Sequence, residues 1–264
     1  MKKYLQIGNA IALFATIVIN YLSNTGIFND YTTASISARY QNLFTPAGYA
    51  FSIWGLIYLA LLAFAIYQGR SLFKKGADDS MVLPIGGWFI VSCLANCTWV
   101  VAWLYDYIFL SVVVIAILLF CLFRIIVSTK MEMDDVPLRT IAFVWWPFCF
   151  YSGWVTVALI TDIAAWLTKI QGAAISPMVA IIMVLVAGAV NIFMTWNRNM
   201  REFATVGIWA LVAIAVADWR TAPTVAWTAL VTSVILFVNV SIHSYRNRAF
   251  SPWTYNARHS KGNN

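Results

Sequence analysis

Long apolar segments alternate with short polar ones along the whole chain. Each apolar segment has about 20 residues, the length of helix that crosses a bilayer core of about 30 Å. Backbone amides find no water inside lipid, so such segments must be helical, and none shows the strict alternation of a membrane β-strand. The pattern predicts an all-α polytopic membrane protein with eight transmembrane helices, at about 4–23, 48–69, 83–104, 107–127, 141–167, 178–196, 203–219 and 223–243.

The composition supports this class of protein and excludes others. Hydrophobic residues make up 62% of the 264 residues and charged residues 10%, against about 45–50% and about 25% in soluble domains. The mean hydropathy is +0.78. A soluble domain cannot cover so much apolar surface, so the composition excludes a soluble globular enzyme, a disordered chain and a secreted disulfide-rich mini-protein.

The basic residues give the orientation. The net charge is +7, but the 17 lysines and arginines lie between the apolar segments and do not form a nucleic-acid-binding surface. If the N-terminus is cytoplasmic, fourteen of them fall on the cytoplasmic side and three, Arg39, Lys169 and Arg220, fall outside. This asymmetry follows the positive-inside rule, so we expect both termini in the cytoplasm.

Aromatic residues recur at helical spacing in three of the predicted helices, where they share one face of each helix. The three stripes are Phe51, Trp54 and Tyr58 in the second helix, Asn96, Trp99 and Trp103 in the third, and Tyr151, Trp154, Ala158, Asp162 and Trp166 in the fifth. Stripes that converge would enclose a flat-walled apolar cavity with a few hydrogen-bonding groups, which suits a large planar hydrophobic ligand. Aromatic packing between helices would give the same spacing.

Asp162 is the only acidic residue well inside a predicted span. A carboxylate in lipid is costly, which makes this residue a functional candidate, with Lys169 as a cationic partner. A position at a helix end that reaches outer water is the alternative. The long first loop, 24–47, is either a lid or binding segment or a solvated connector.

The stretch from Pro46 to Tyr58, PAGYAFSIWGLIY, resembles the second-helix signature of the TspO/MBR family. These are the tryptophan-rich sensory proteins, related to the translocator protein. In that family a proline precedes a tryptophan by eight positions and a tyrosine often follows it by four, as Pro46, Trp54 and Tyr58 do here. The family's third helix commonly carries Asn-x-x-Trp, which Asn96 and Trp99 match.

The fifth helix carries the third matching motif. Tyr151, Trp154, Ala158 and Trp166 keep the family's spacing, whereas Asp162 stands where asparagine is usual. A second departure is that only one of two adjacent prolines is kept before Trp54. These departures leave open whether the ligand preference has changed.

The resemblance covers residues 1–168 and implies a five-helix bundle whose pocket is covered by loop 24–47. Residues 169–245 then form three additional transmembrane helices, and residues 246–264 form a polar cytoplasmic tail. The chain therefore looks like an extended form of the family, in a bacterial inner membrane.

The resemblance implies a membrane binding or sensory protein whose ligand is a porphyrin, haem or sterol-like molecule. The expected partners are the lipid bilayer, this hydrophobic ligand and a second copy in a homodimer; no nucleic acid, tightly bound cofactor, metal or catalytic residue is predicted. Two alternatives stay open: a proton-coupled or passive transporter of a small hydrophobic molecule, and Trp-dependent porphyrin breakdown. The predicted ligand-binding residues are Pro46, Phe51, Trp54, Tyr58, Asn96, Trp99, Trp103, Tyr151, Trp154, Ala158, Asp162 and Trp166.

Overall fold

A computed structural model describes residues 1–247, and this range is helical without strands. The predicted tail beyond Asn247 lies outside the described residues. The long helices are α1 (Lys2–Leu22), α3 (Ile53–Gly69), α5 (Trp88–Leu104), α6 (Ile108–Ser128), α8 (Trp146–Gln171), α9 (Pro177–Arg198), α10 (Arg201–Asp218) and α11 (Pro223–Arg246). The short elements are α2 (Thr33–Arg39), α4 (Val82–Ile85), α7 (Leu138–Thr140), the 3₁₀ turns Gly48–Ser52 and Arg70–Leu72, and a π-helical turn, Ile141–Trp145.

Each predicted membrane segment corresponds to one long helix, but eight spans are not confirmed. Among residues 1–247, six helical segments are long and apolar enough to cross a membrane. α5 has 17 residues, a length of about 26 Å, and α10 has 18 residues with Arg201, Glu202 and Asp218 at its ends. The structure therefore supports an all-helical, polytopic membrane protein with six helices of spanning length and apolarity.

The outer surface of the helices is apolar, unlike that of a soluble protein, and some polar side chains are buried between the helices. Large apolar side chains such as Leu59, Ile66 and Phe193 are exposed on the outer faces of the helices, whereas Asn9 and Asn96 are buried between them. Such an apolar exterior suits contact with lipid, and buried amides can form hydrogen bonds between helices.

α8 is the central helix of the molecule. It packs against α3, α6 and α10, while α1 packs on α3 and α5. α9, α10 and α11 pack on one another and join the rest mainly through α10. Gly153 of α8 makes this contact close, because a Cβ added there would lie 2.9 Å from the backbone oxygen of Phe203.

Pro147 lies in the first turn of α8, directly after the π-helical turn Ile141–Trp145. A proline inside a helix can kink it by removing one hydrogen bond. Proline has no backbone N–H, so the carbonyl four residues earlier loses its usual donor. The π-helical turn therefore lies next to the missing hydrogen bond.

Candidate functional site

A cavity of about 580 Å³ lies between α1, α3, α5, α8 and the loop that joins α1 to α3. This volume falls within the range of about 300–1,000 Å³ that is typical of small-molecule sites. Nine of the predicted site residues line it: Pro46, Phe51, Trp54, Tyr58, Trp99, Trp103, Trp154, Ala158 and Asp162. The aromatic faces of α3, α5 and α8 therefore meet at one common space.

Four rings from α3 and α5 form what we call the ring wall: Tyr58, Trp54, Trp99 and Trp103. Successive ring centroids are 5.5, 6.1 and 6.4 Å apart, and successive planes differ by 17°, 30° and 26°. Trp154 of α8 stands edge-on to Trp54, at 86° and 6.3 Å. The cavity thus has a nearly continuous aromatic side and a perpendicular aromatic corner.

Three predicted site residues do not line the cavity. The Asn96 amide donates a hydrogen bond to the Tyr151 hydroxyl at 3.0 Å and its oxygen accepts one from Asn20 at 2.7 Å. Tyr151 lies edge-on to the ring wall, 6.0 Å from Trp54. Trp166 packs against Phe109, with centroids 5.2 Å apart. Asn96 and Tyr151 therefore support the ring wall, and Trp166 belongs to a different cluster.

Sequence reasoning missed the lining that comes from α1 and from α2. Within residues 1–247, α1 contributes Asn20, and the polar face of α2 contributes Thr33 and Ser37. The Nε1–H of Trp103 donates to the Thr33 carbonyl at 3.2 Å, which fixes α2 against α5. The available signal was the pair Thr32 and Ser35, whose side chains cap the start of α2 reciprocally.

An ionic cluster around Asp106 holds the loop between α1 and α3 against the other helices. Its carboxylate accepts a hydrogen bond from the Tyr40 hydroxyl at 2.7 Å and lies 3.0 Å from Nζ of Lys169 and 3.7 Å from Arg39. Partial burial raises the pKa of Asp106, but the hydrogen bonds and the two positive charges outweigh it, so its pKa is lowered overall. Lys169 is thus the partner of Asp106, not of Asp162 as the sequence suggested.

Two polar groups of the cavity lining are buried although one lacks an ion-pair partner and the other a hydrogen-bond partner. Asp162 is 3% exposed, and its carboxylate accepts a hydrogen bond from the Trp99 Nε1–H at 2.8 Å. No lysine, arginine or histidine of residues 1–247 forms an ion pair with it. Trp154 is 2% exposed, and its N–H has no hydrogen-bond partner within the same range.

The family model for "TSPO-like protein" matches residues 6–242. The chain belongs to the TSPO-like family. The match extends beyond the residues 1–168 in which the sequence motifs lie and includes α9, α10 and most of α11. No curated protein and no solved structure matches the chain.

In this TSPO-like protein, α10 holds the segment that directly precedes α3. The Ala47 N–H donates to the Ala213 carbonyl at 3.1 Å, and the Trp209 Nε1–H donates to the Ala50 carbonyl at 3.2 Å. The Trp209 ring also lies edge-on to Tyr49, 5.3 Å away. Because this segment precedes the aromatic stripe of α3, the three C-terminal helices are connected physically to the cavity.

Three side chains of the kinds that bind metal ions lie close together outside the cavity lining of this TSPO-like protein. Glu132, Cys149 and Glu202 bring ligand atoms within 4.8 Å of one another. Burial, followed by the nearby carboxyl of Glu202, raises the pKa of Glu132 to about 8. A carboxyl whose pKa is raised holds its proton more readily than an ordinary one, which weakens it as a metal ligand.

Proposed function

We propose that this protein is an integral membrane binding protein with a sensory role, whose ligand is planar and hydrophobic, of the porphyrin, haem or sterol-like type. The ligand would lie in the cavity between α3, α5 and α8, beneath α2. The observation that carries the proposal is the ring wall itself, together with the perpendicular ring of Trp154. Membership of the TSPO-like family supports a binding or sensory role.

The shape of the cavity favours a planar ligand. A flat molecule placed along the ring wall can stack on Trp54 and Trp99, and its edge can meet the Trp154 ring. The cavity is mostly apolar in its lining and large enough for a small molecule. The gain in free energy would come chiefly from removing two apolar faces from water or lipid headgroups and packing them against rings.

A protoporphyrin IX titration tests this proposal on the full chain in detergent or nanodiscs. The Soret absorbance and the tryptophan fluorescence should change saturably. Trp154→Ala removes one aromatic wall, which we expect to cost about 1–3 kcal/mol, or about 5- to 150-fold in affinity. Absence of saturable binding by the wild type would overturn the choice of a tetrapyrrole as ligand.

Trp227→Ala is the matched control for this experiment. Trp227 is exposed, packs on Trp219 and does not line the cavity. The control should therefore keep the wild-type affinity although it removes the same side chain. Equal losses for Trp154→Ala and Trp227→Ala would indicate non-specific association with tryptophan-rich surfaces.

We also propose that both termini are cytoplasmic, in the inner membrane of a bacterium, on the basis of the asymmetry of basic residues. A membrane-impermeant maleimide tests the orientation in intact cells. We expect labelling of Ala173→Cys, in the loop between α8 and α9, and none of Asp78→Cys, between α3 and α4, until the cells are opened. The reverse pattern would contradict the topology.

A further inference from the structure

We infer that the cavity selects a hydrophobic organic cation, such as an aromatic amine or quaternary ammonium compound, and that Asp162 is its counter-ion. The inference rests on the proposed function, because it concerns the same cavity and adds the charge of the ligand. It depends on the surroundings of Asp162, the charge of the cavity lining and the character of the ring wall.

Asp162 is an acidic group without a cationic partner in the protein. It is 3% exposed on α8, and the side chains that interact with it, Trp99 and Ser111, contribute a neutral N–H and a neutral hydroxyl. The nearest basic residue along the same helix, Lys169, is engaged elsewhere, since its Nζ lies 3.0 Å from the carboxylate of Asp106. A buried carboxylate is costly unless it is paired, so a positive charge brought by a ligand would be strongly favoured at this position.

The rest of the cavity lining carries no positive charge that would compete with the ligand. Within the described residues, the lining includes no lysine, arginine or histidine. The acidic side chain of the lining is Asp162. A negatively charged ligand would therefore meet a carboxylate and no compensating cation. The electrostatics of the lining favour a cationic group at Asp162, so a porphyrin would have to direct its two propionates away from this carboxylate.

The ring wall adds a second attraction for a cation. The faces of indole and phenol rings carry partial negative charge, and tryptophan is the strongest such partner. Trp99 connects the two features, because its ring belongs to the wall and its N–H bonds Asp162. A flat cation could stack on the wall with its charged group directed to the carboxylate, which is how aromatic cages recognise quaternary ammonium groups.

A charge series of one ligand shape tests the inference on the full wild-type chain in nanodiscs. The probes are biphenylylmethyl-trimethylammonium, its neutral isostere 4-neopentylbiphenyl, and biphenylylmethanesulfonate. Calorimetry or competition with a fluorescent probe should rank the cation first and the sulfonate last, with the cation bound about tenfold or more tighter than the isostere. Equal affinity for the cation and the isostere would overturn the inference.

Asp162→Asn keeps the size of the side chain and an oxygen that accepts from Trp99, so it removes the charge alone. We expect the preference for the cation to fall by about tenfold, to what the ring wall alone supplies, while the isostere binds as it does to the wild type, which also shows that the cavity is intact. Asp134→Asn, at an exposed acid between α6 and α7, should keep the full preference. An unchanged preference in Asp162→Asn would overturn the role of this residue.

The outcomes separate the two proposals. Binding of the neutral isostere without any preference for the cation supports a planar hydrophobic ligand and overturns the counter-ion. Failure of all three probes and of protoporphyrin IX to bind the wild type overturns the cavity as a ligand site, and the inference with it.

Discussion

The cavity half of the molecule is α1 to α8, and the C-terminal half is α9 to α11. Large side chains lie between the helices of the first half, and small ones between the helices of the second. In the cavity half, α3, α5 and α8 face one another through tryptophan and tyrosine rings. In the C-terminal half, Gly188 of α9 faces Thr232 of α11, and Gly207 of α10 faces Asn191 of α9, so closely that an added Cβ would overlap both neighbours. Large rings keep helices apart and leave space for a ligand, whereas glycines let them touch.

The two halves meet at the contact of α8 with α10, which we call the seam, and at the start of α3. Gly153 allows the close approach of α8 to Phe203 at the seam. Trp209 of α10 contacts Tyr49 and Ala50 at the start of α3. The C-terminal half is thus a packed support that positions one wall of the cavity, and three substitutions test this division.

The largest effect is expected from Gly153→Ala. The new Cβ would lie 2.9 Å from the Phe203 backbone oxygen, which cannot move without moving α10. We expect a loss of about 1–3 kcal/mol in the free energy of unfolding, measured by thermal unfolding of the protein in detergent. Gly55→Ala is the matched control, since nothing lies within 4 Å of a Cβ there. Equal stability of the two variants would contradict a tightly packed seam.

A smaller effect is expected from Trp209→Phe. The variant keeps a ring against Tyr49 but removes the N–H that bonds the Ala50 carbonyl. We expect ligand affinity to fall by about fivefold, which corresponds to about 1 kcal/mol for one hydrogen bond. Trp219→Phe, at the exposed end of α10, is the control and should bind normally. Normal binding by Trp209→Phe would show that α10 does not position the start of α3.

The smallest effect is expected from Asp106→Asn, which removes the charge that holds the loop. Because the ion pairs are partly exposed, their contribution should be below about 1 kcal/mol. Hydrogen exchange in residues 32–40 should become faster, whereas exchange in α9 should not change. Faster exchange in both regions would indicate global destabilisation instead.

The same cluster gives a pH dependence. The pKa of Asp106 is lowered from its ordinary value of 3.8, so its contribution is present above that value and is lost as the pH falls through the lowered pKa. The protection factors of the loop amides, which correct for the slower intrinsic exchange in acid, should therefore fall in the wild type below about pH 4 and match those of Asp106→Asn. A loss of protection that begins near neutral pH would assign the effect to another group.

Much of the cavity could be predicted because helical spacing fixes which residues share a face. The stripes of α3, α5 and α8 brought eight predicted residues to one space, where Pro46 joins them. Spacing does not fix depth along the helix, however. Trp166 lies twelve residues beyond Trp154, or about 18 Å along the helix axis, so it packs on Phe109 beyond the cavity. Asn96 and Tyr151 lie one turn below Trp99 and Trp154 and bond each other behind the rings.

The contacts between distant segments could not be predicted from the sequence. The apolar pattern located α10, but it did not show that Trp209 reaches the start of α3, 159 residues away. Lys169 follows Asp162 by seven residues, two turns along the same helix, and is therefore expected to pair with it. In the structure, Lys169 instead forms an ion pair with Asp106. Such pairings depend on how helices cross, which one-dimensional periodicity does not contain.

The most direct test of the central claim is an experimental structure of the wild-type protein saturated with protoporphyrin IX in nanodiscs. The claim predicts density for a flat ligand against the ring wall, in contact with Trp54 and Trp154 and beneath α2. A ligand bound between α9, α10 and α11, or on the outer surface of the helices with the ring wall unoccupied, would contradict it.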